Sequence, residues 1–383
     1  MTATFVAPVQ QQQVDLGGDA EHVFAALGKD PRLIPYGGGN FGMPLELMEP
    51  DGDLIVPTER FFMRSNGPVP IIDPETWSMT VTGCVDHPLH LRLDDLQTLP
   101  RRTLTAFLEC AGNGRTRFVP VPDGTPWGND AAGNAIWEGV PLHEVLDRAG
   151  IHDDAVDVVC QGGDFPEMQR GLPLAVARDA DTLLVLRMNG EPLPVAHGGP
   201  VRLIVPGWAG IASTKWLIGL HILDRAFAGF WNSDNYIFWG ADGTPQRPIR
   251  EMAVKSVISA PLQGTVIEPG STVVTGFAWS GHGAIAQVEV SIDSGVSWGQ
   301  ADLEGAGRRS WVRFHYPWTA TRGQHRLMSR ATDERRLRQP VVADWNGKGY
   351  GQNGIHCVEV IVDESQPFQT RKETSRDGLT NVH

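Results

Sequence analysis

Residues 108–115 read Leu108-Glu109-Cys110-Ala111-Gly112-Asn113-Gly114-Arg115, and this octapeptide decides how the rest of the chain is interpreted. It follows an apolar, strand-like run over 103–108, and its Gly and Asn residues are typical of a turn. The sequence therefore places the Cys110 thiol at the end of a strand. A thiolate binds soft metals, and a nearby cation such as Arg115 lowers the pKa of a thiol. Taken alone, the pattern also fits a cysteine that fills a small space in a core.

Further segments extend this pattern on both sides. An Arg-containing segment precedes the octapeptide, and segments rich in Gly, Pro and Trp follow it. Together they resemble, in the same order, the sulfite oxidase family of molybdenum enzymes, of the bacterial sulfite oxidase or sulfite dehydrogenase type. The resemblance covers about residues 58–362. The matching segments are 61–70, 108–115, 126–127, 137–142, 188–194, 197–202, 205–207, 213–216, 254–261, 276–281, 288–298 and the stretch from 344–346 to His356.

The bulk composition limits the possible partners. The 383 residues suggest two or three domains, and 41% hydrophobic residues can form a full core. With 32 basic and 45 acidic residues the net charge is −13, which argues against nucleic acid or an anionic membrane as a partner. A small anionic substrate stays compatible, because local arginines can dominate one pocket.

The cysteines and the N-terminus bear on the compartment. The four cysteines form no C-x-x-C pair, so a zinc ribbon, a thioredoxin-type site and a c-type haem attachment are unsupported. Residues 1–13 show no basic segment followed by an apolar run, and no membrane-spanning stretch is evident. We therefore expect a cytoplasmic protein, or a periplasmic one if a leader was removed.

Element patterns predict an α+β chain. Helices are expected over 19–27, 94–99 and 141–149, and buried strands over 156–160, 182–187 and 201–205. From about residue 254 short alternating runs predict an immunoglobulin-like β-sandwich. The expected order is an N-terminal arm with a short helix (1–57), a mixed molybdopterin-binding catalytic domain (58–250), the sandwich (251–363) and a polar tail (364–383).

The resemblance implies a molybdenum–pyranopterin dithiolene cofactor, with Cys110 as the protein ligand to the metal. A high-valent metal needs an anionic, soft donor that stays attached through a redox cycle. The residues that match the family's cofactor-binding positions are Arg64, Asn66, Asp164, His197, Arg202, Ser213, Thr214 and Lys215. His197, Arg202 and the 213–215 run match the phosphate-binding part, and Asp164 is a candidate acceptor for the pterin.

The resemblance also implies an anion pocket. Arg64 and Arg115 match its arginines, and Tyr236 matches the tyrosine beside the reacting centre. A third arginine is expected from the β-sandwich, and we favour Arg308 over Arg309. Trp127 matches a tryptophan near this pocket.

Two positions depart from the animal and plant enzymes. Asn66 stands where they carry His, and Gly114 where they often carry a second Arg. An amide can donate a hydrogen bond but cannot carry charge. Both differences predict a pocket of lower positive charge, which bears on whether sulfite is the substrate.

The expected activity is oxygen-atom transfer that oxidises sulfite to sulfate. No haem motif is visible, so electrons are expected to pass to an external acceptor, such as a cytochrome, or to oxygen. The resemblance further implies a homodimer formed through the C-terminal domain.

Three alternatives remain at the level of sequence. Within the family, the substrate could be a sulfane sulfur on a carrier protein, or nitrate reduced in the opposite direction. From another class, the β domain alone would suit a non-catalytic binding protein. A metallohydrolase has little support, because His87 and His90 stand on a turn and no HExxH motif exists.

Overall fold

The computed structural model describes residues 12–48, 52–305 and 307–364. The start of the expected arm (1–11) and the expected tail after residue 364 lie outside the described residues. Within the described ranges the architecture is α+β, as the sequence predicts: a mixed domain precedes a domain of two β-sheets. No helix in these ranges is long and apolar enough to cross a membrane.

The mixed part of the chain contains short helices and many strands. The helices are α1 (Ala20–Leu27), α2 (Leu93–Gln97), α3 (Leu142–Ala149) and α4 (Leu174–Ala177). The strands are β1 (Gln12–Gln13), β2 (Ile34–Gly37), β3 (Asn40–Gly42), β4 (Pro70–Ile71), β5 (Ser78–Gly83), β6 (Leu89–Arg92), β7 (Arg102–Glu109), β8 (Ala132–Pro141), β9 (Asp157–Gly162), β10 (Gln169–Pro173), β11 (Leu183–Met188), β12 (Glu191–Pro192), β13 (Arg202–Ile204), β14 (Leu217–Leu223), β15 (Ile237–Trp239) and β16 (Pro245–Pro248).

The C-terminal part consists of strands. They are β17 (Lys255–Ala260), β18 (Val266–Ile267), β19 (Gly270–Trp279), β20 (Ile285–Ser291), β21 (Gly299–Gln300), β22 (Asp302–Glu304), β23 (Val312–Ala320), β24 (Gly323–Asp333) and β25 (His356–Val362). They form two sheets, with the orders β17–β19–β23–β22 and β18–β25–β24–β20–β21. This two-sheet arrangement confirms the predicted sandwich.

Local signals place the first helix where the sequence predicts it. The Asp19 carboxylate accepts a hydrogen bond from the His22 N–H, which caps the N-terminus of α1. Gly28 ends the helix in the left-handed conformation, which glycine adopts without steric cost. Phe24 and Leu27 are buried, so α1 is anchored to the core of the mixed domain. The helix and its Gly28 cap therefore fix the position of the next residue, Lys29.

Two sheets of the mixed domain support the site. One has the order β10–β9–β14–β5–β6, and the other the order β12–β11–β8–β7, with β13 paired to β11. β7 and β8 pair antiparallel along their length, from Arg102 opposite Gly139 to Glu109 opposite Ala132. This long pairing makes the end of β7 a rigid platform for Cys110.

The core of the mixed domain continues into the β domain. Its cluster of buried apolar residues includes Phe277, Trp279, Trp311 and Tyr350, which belong to the β domain. The Phe277 and Trp311 rings lie 4.7 Å apart, and Trp279 lies 6.2 Å from Phe107 of β7. The β domain is thus packed directly behind the strand that carries the cysteine.

A buried histidine predicts acid sensitivity of the β domain. The His356 Nδ1 accepts a hydrogen bond from the Ile258 N–H at 2.9 Å, and burial lowers the pKa of His356 to about 3. In the unfolded chain the His356 ring becomes protonated below about pH 6.5, whereas in the folded chain the ring stays neutral down to its lowered pKa. His356 should therefore stabilise the fold above pH 6.5 and lose about 3 kcal/mol of that contribution by pH 4.

We expect His356→Gln, whose amide oxygen can accept the same bond, to flatten the decline in unfolding free energy between pH 7 and pH 4. Denaturant titrations across that range measure the slope. An unchanged slope in the variant would contradict the assignment.

Candidate active site

One cavity collects most of the residues that the sequence singles out. It opens between the end of β7, the Arg64 segment and the loops around His197 and Tyr236. The predicted residues that line it are Arg64, Asn66, Cys110, Asp164, His197, Arg202, Ser213, Thr214, Lys215 and Tyr236. These residues come from distant parts of the chain, so their meeting in one cavity is a result of the fold.

Cys110 follows the last residue of β7 and is held by backbone bonds on both sides. Its N–H donates to the Ala131 carbonyl at 2.9 Å, and its carbonyl accepts from the Asn113 N–H at 2.9 Å. Burial raises the pKa of the Cys110 thiol, and the charges of Arg64 and Arg115 act in the opposite direction. The thiol stays protonated in the protein by itself, and a metal ion would displace that proton. Cys110 is therefore suited to act as a metal ligand, because it is fixed at the end of a rigid strand.

Buried cations converge at one end of the cavity. Burial lowers the pKa of Arg202 to about 9, and burial together with the charge of Arg202 holds the pKa of Lys215 well below its usual range. Arg202 donates to the carbonyls of His197 at 2.9 Å and Ser213 at 3.0 Å. Its guanidinium also lies 5.4 Å from the Trp137 ring. Backbone carbonyls alone do not neutralise such a group, so this end of the cavity favours an anion.

Two polar atoms beside these cations lack a partner. Oγ1 of Thr214 and Oδ1 of Asp164 are buried and have no hydrogen-bond partner in the part of the chain that the structure describes. Burial raises the pKa of Asp164 to about 6, while the charge of Lys215 opposes this shift. Buried polar atoms almost always have partners, so these two indicate a ligand. Phosphate oxygens would suit the Thr214 hydroxyl and the cations, and the N–H groups of a pterin would suit Asp164. The donor set thus fits a phosphate-bearing pterin, with the Cys110 sulfur as the metal ligand.

Arg64, Asn66 and Tyr236 form a second polar group in the cavity. Arg64 donates to Asn66 Oδ1 at 2.5 Å, to Asn40 Oδ1 at 3.1 Å and to the Ser65 carbonyl. The Asn66 amide lies 3.3 Å from the Tyr236 hydroxyl. Burial raises the pKa of Tyr236, so its hydroxyl keeps its proton at neutral pH. Arg64 is paired with neutral acceptors, which leaves its positive charge for a ligand.

Arg115 does not line this cavity. It is buried, and it donates to the carbonyls of Lys348 at 3.0 Å and Thr125 at 2.6 Å. Its guanidinium lies 5.4 Å from the Tyr350 ring, which stacks on Tyr236 at 5.3 Å. The expected anion-binding arginine is therefore separated from Tyr236 by one ring and acts on the cavity through its charge. Trp127 is fully buried against Tyr36 and belongs to the core, away from the cavity lining.

The structure also places Arg308 away from the cavity, in contrast to the sequence-based expectation. The Arg308 side chain is 63% exposed and pairs with Glu334 at 2.9 Å. Arg309 pairs with Asp179 at 3.0 Å and Asp181 at 3.3 Å. Nearby carboxylates neutralise both guanidinium groups, so neither supplies a third positive charge to an anion in the cavity.

The β domain instead reaches the site through the segment around Tyr350, which the sequence reading missed. Asn346 fixes this segment: its side chain donates to the Tyr350 carbonyl and accepts from the Tyr350 N–H. The Gly351 N–H donates to the Ala111 carbonyl at 2.8 Å, next to Cys110. The match of 344–356 to the family was the signal that could have pointed to these residues.

Gly114 is required by its surroundings. Its φ is +89°, and an added Cβ would lie 3.3 Å from Lys255 Nζ. Side chains other than glycine adopt this φ with strain, and an arginine here would place a second cation beside Lys255. An arginine at position 114 would therefore meet both the strain of this φ and the charge of the buried lysine of the β domain.

Comparison with known proteins agrees with this geometry. Residues 66–231 match the oxidoreductase molybdopterin binding domain, and residues 246–363 match the Mo-co oxidoreductase dimerisation domain. Mitochondrial sulfite oxidase of Rattus norvegicus is 34% identical over 338 residues, which cover 80% of this chain. The chain spans 62% of the length of that relative.

Two further relatives are matched over most of their length. Sulfite oxidase of Arabidopsis thaliana is 30% identical over 79% of this chain and 87% of its own length. The solved structure of the sulfane dehydrogenase SoxCD from Paracoccus pantotrophus superimposes with a TM-score of 0.76. It is 30% identical, over 85% of this chain and 87% of that one. With its cysteine, buried cations and cavity in the places described, this chain belongs to the sulfite oxidase family.

Proposed function

We propose that this oxidoreductase oxidises sulfite to sulfate and passes two electrons to an external acceptor. The observation that carries the proposal is the Arg64–Asn66–Tyr236 group, which lies in the same cavity as Cys110. Arg64 offers a positive charge that no carboxylate within the described ranges pairs with, and Tyr236 offers a protonated hydroxyl. A small oxyanion needs such donors.

The balanced reaction assigns a role to each side chain. Sulfite and water give sulfate, two protons and two electrons. The bound molybdenum cofactor supplies the two-electron oxygen-atom transfer. Arg64 would orient the sulfite oxygens, Asn66 would hold the Tyr236 hydroxyl in place, and Tyr236 would donate a hydrogen bond to the oxygen in transfer. Cys110 would hold the metal at the end of β7.

Partners follow from the same proposal. The electrons would leave to a separate acceptor such as a cytochrome. The dimerisation domain at 246–363 supports a homodimer formed through the β domain.

A sulfane sulfur on a carrier protein is the second candidate substrate. It is favoured by the likeness to the sulfane dehydrogenase and by the position of Arg308 outside the cavity. Of the three arginines expected around the substrate anion, Arg64 alone lines the cavity, so the substrate end of the cavity holds less positive charge than a free dianion would favour.

A substrate assay separates the candidates. The protein would be made in a host that synthesises the molybdenum cofactor, and its molybdenum content measured. Sulfite should then reduce ferricyanide with two ferricyanide ions consumed per sulfite, while thiosulfate gives no turnover with ferricyanide and nitrate gives none with a reduced viologen dye as the electron donor. Molybdenum-loaded protein without sulfite turnover would overturn the proposal.

Arg64 should control the affinity for sulfite. We expect Arg64→Gln to raise the KM for sulfite by about tenfold or more, because a charge-assisted contact to the anion is lost. Steady-state kinetics on variants with equal molybdenum content measure this. Arg308→Gln is the matched control: it removes an exposed, paired arginine and should leave the KM unchanged. Equal KM values in wild type and Arg64→Gln would exclude Arg64 from substrate binding.

A further inference from the structure

Lys29 is a buried lysine that contacts no carboxylate among the described residues, and it touches His197 from outside the cavity. It follows Gly28, which ends α1, and lies outside the segments that match the family models. Its Nζ lies 2.8 Å from the Thr58 carbonyl, 2.7 Å from the Phe61 carbonyl and 3.0 Å from His197 Nε2. His197 in turn lines the cavity. Lys29 therefore contacts a candidate cofactor residue while taking no part in the cavity lining.

The number of donors on Lys29 determines the tautomer of His197. A protonated lysine has three N–H donors and no acceptor. Its three neighbours are two carbonyls and one ring nitrogen, so each takes one donor. The His197 Nε2 also lies 3.1 Å from the Thr58 carbonyl, which already accepts from Lys29 at 2.8 Å. A ring proton on Nε2 would leave the third donor of a protonated Lys29 buried without an acceptor, so Nε2 accepts from Lys29 and the ring proton lies on Nδ1. Among the described residues Nδ1 of His197 has no hydrogen-bond partner, so its N–H is available for a ligand.

We propose that Lys29 is a positioning residue of the cofactor site, which holds His197 in the tautomer that presents Nδ1–H to the phosphate of the pterin. The inference rests on the molybdopterin cofactor and not on sulfite as the substrate. A negative sulfite assay would therefore leave it standing.

The surroundings of Lys29 support a role in binding an anion. Burial lowers the pKa of Lys29 to about 7, while the carboxylates of Glu59 and Asp30 oppose the shift from a distance. On the other side Lys29 faces His197. Burial and the charges of Lys29, Arg202 and Lys215 all lower the pKa of the His197 ring. Holding several basic groups together is unfavourable unless an anion joins them. A phosphate in the cavity would compensate for all of these groups together.

The position of Lys29 also couples the N-terminal helix to the cofactor. The Lys29 N–H donates to the Phe24 carbonyl at 2.9 Å, and Phe24 packs on Phe41 with ring centroids 4.7 Å apart. Docking of α1 thus places the ammonium against His197. By reciprocity, a bound cofactor should stabilise the docked helix to the same extent.

The test uses the full-length, cofactor-free chain with inorganic phosphate as the probe. Phosphate should raise the Tm of the wild-type chain. In Lys29→Met, which keeps the length but removes the charge, the affinity for phosphate should fall by about tenfold, as for other outer residues that orient a ligand. Molybdenum and pterin per purified chain should fall in parallel. Glu21→Gln on the exposed face of α1 is the control and should change neither quantity.

A double-variant cycle distinguishes positioning from a separate effect. If Lys29 acts through His197, Lys29→Met should cause little further loss of phosphate affinity in a His197→Ala background. Additive losses, or unchanged phosphate affinity in Lys29→Met, would overturn the proposal. If Lys29→Met does not fold, the tautomer of His197 in the unsubstituted chain decides: nitrogen-15 NMR should find the proton on Nδ1, and a proton on Nε2 would refute it.

Discussion

Turnover is expected to fall by at least about three orders of magnitude when Cys110 is replaced by serine, while the pterin stays bound. Once a metal has displaced its proton, the sulfur of Cys110 is a soft, anionic donor, whereas a serine hydroxyl is a harder donor that stays protonated at neutral pH. The cation cluster that would hold the pterin phosphate lies elsewhere in the cavity and is unchanged. Sulfite-dependent ferricyanide reduction and pterin content measure the two effects separately.

The matched control is Cys357→Ser. Cys357 is a free cysteine of the β domain, partly exposed and away from the cavity, so its replacement should leave turnover unchanged. Substantial turnover in Cys110→Ser that contains molybdenum would mean that the metal is held by another ligand. It would also remove the chemical role of the octapeptide.

The largest effect on stability is expected at Lys255. Its ammonium is fully buried and donates to Glu109 Oε1 at 3.2 Å and to the Asn113 carbonyl at 3.1 Å. Glu109 also accepts from Asn113 Nδ2 at 2.9 Å and from Trp279 Nε1 at 2.8 Å. This network joins the β domain to the residues on either side of Cys110. Lys255→Met should lower the unfolding free energy by about 3–5 kcal/mol, because a buried carboxylate loses its charged partner.

Two further variants test the cause of this loss. Lys255→Met combined with Glu109→Gln removes both charges and should recover part of the stability. Arg178→Met breaks an exposed ion pair with Asp147 and should cost at most about 1 kcal/mol. Denaturant titration of all variants measures these differences. An unfolding free energy of Lys255→Met within about 1 kcal/mol of wild type would contradict the assigned role of the pair.

Local sequence signals were sufficient for the α+β class and for most of the cavity. The helix that begins after Asp19 and ends at Gly28 is encoded by its own caps. Leu142, Val145, Leu146 and Ala149 repeat on one face of α3, and all four are buried. The segments that match the family identified twelve site residues, and ten of them line one cavity. Such residues can be recognised from sequence because each lies within a short motif.

The side chains that the β domain contributes to the site could not be predicted from local sequence signals. Arg308 and Arg309 have the right residue type, but Glu334, Asp179 and Asp181 neutralise them at the surface. Tyr350 stacks on Tyr236 instead, and the Lys348 carbonyl beside it binds Arg115, 233 residues earlier in the chain. Which carboxylate meets which arginine depends on how the two domains pack.

The sequence by itself determined the cysteine at the end of β7, the cofactor class and the two-domain order, because these follow from short motifs and from the period of apolar residues. Only the tertiary structure decided which charges enter the cavity. Lys29 meets His197 across 168 residues, and Lys255 meets Glu109 across 146. Burial determines how strongly such pairs affect stability and binding. Water screens a charge at the surface, whereas a buried charge is unfavourable unless a partner or a ligand compensates for it.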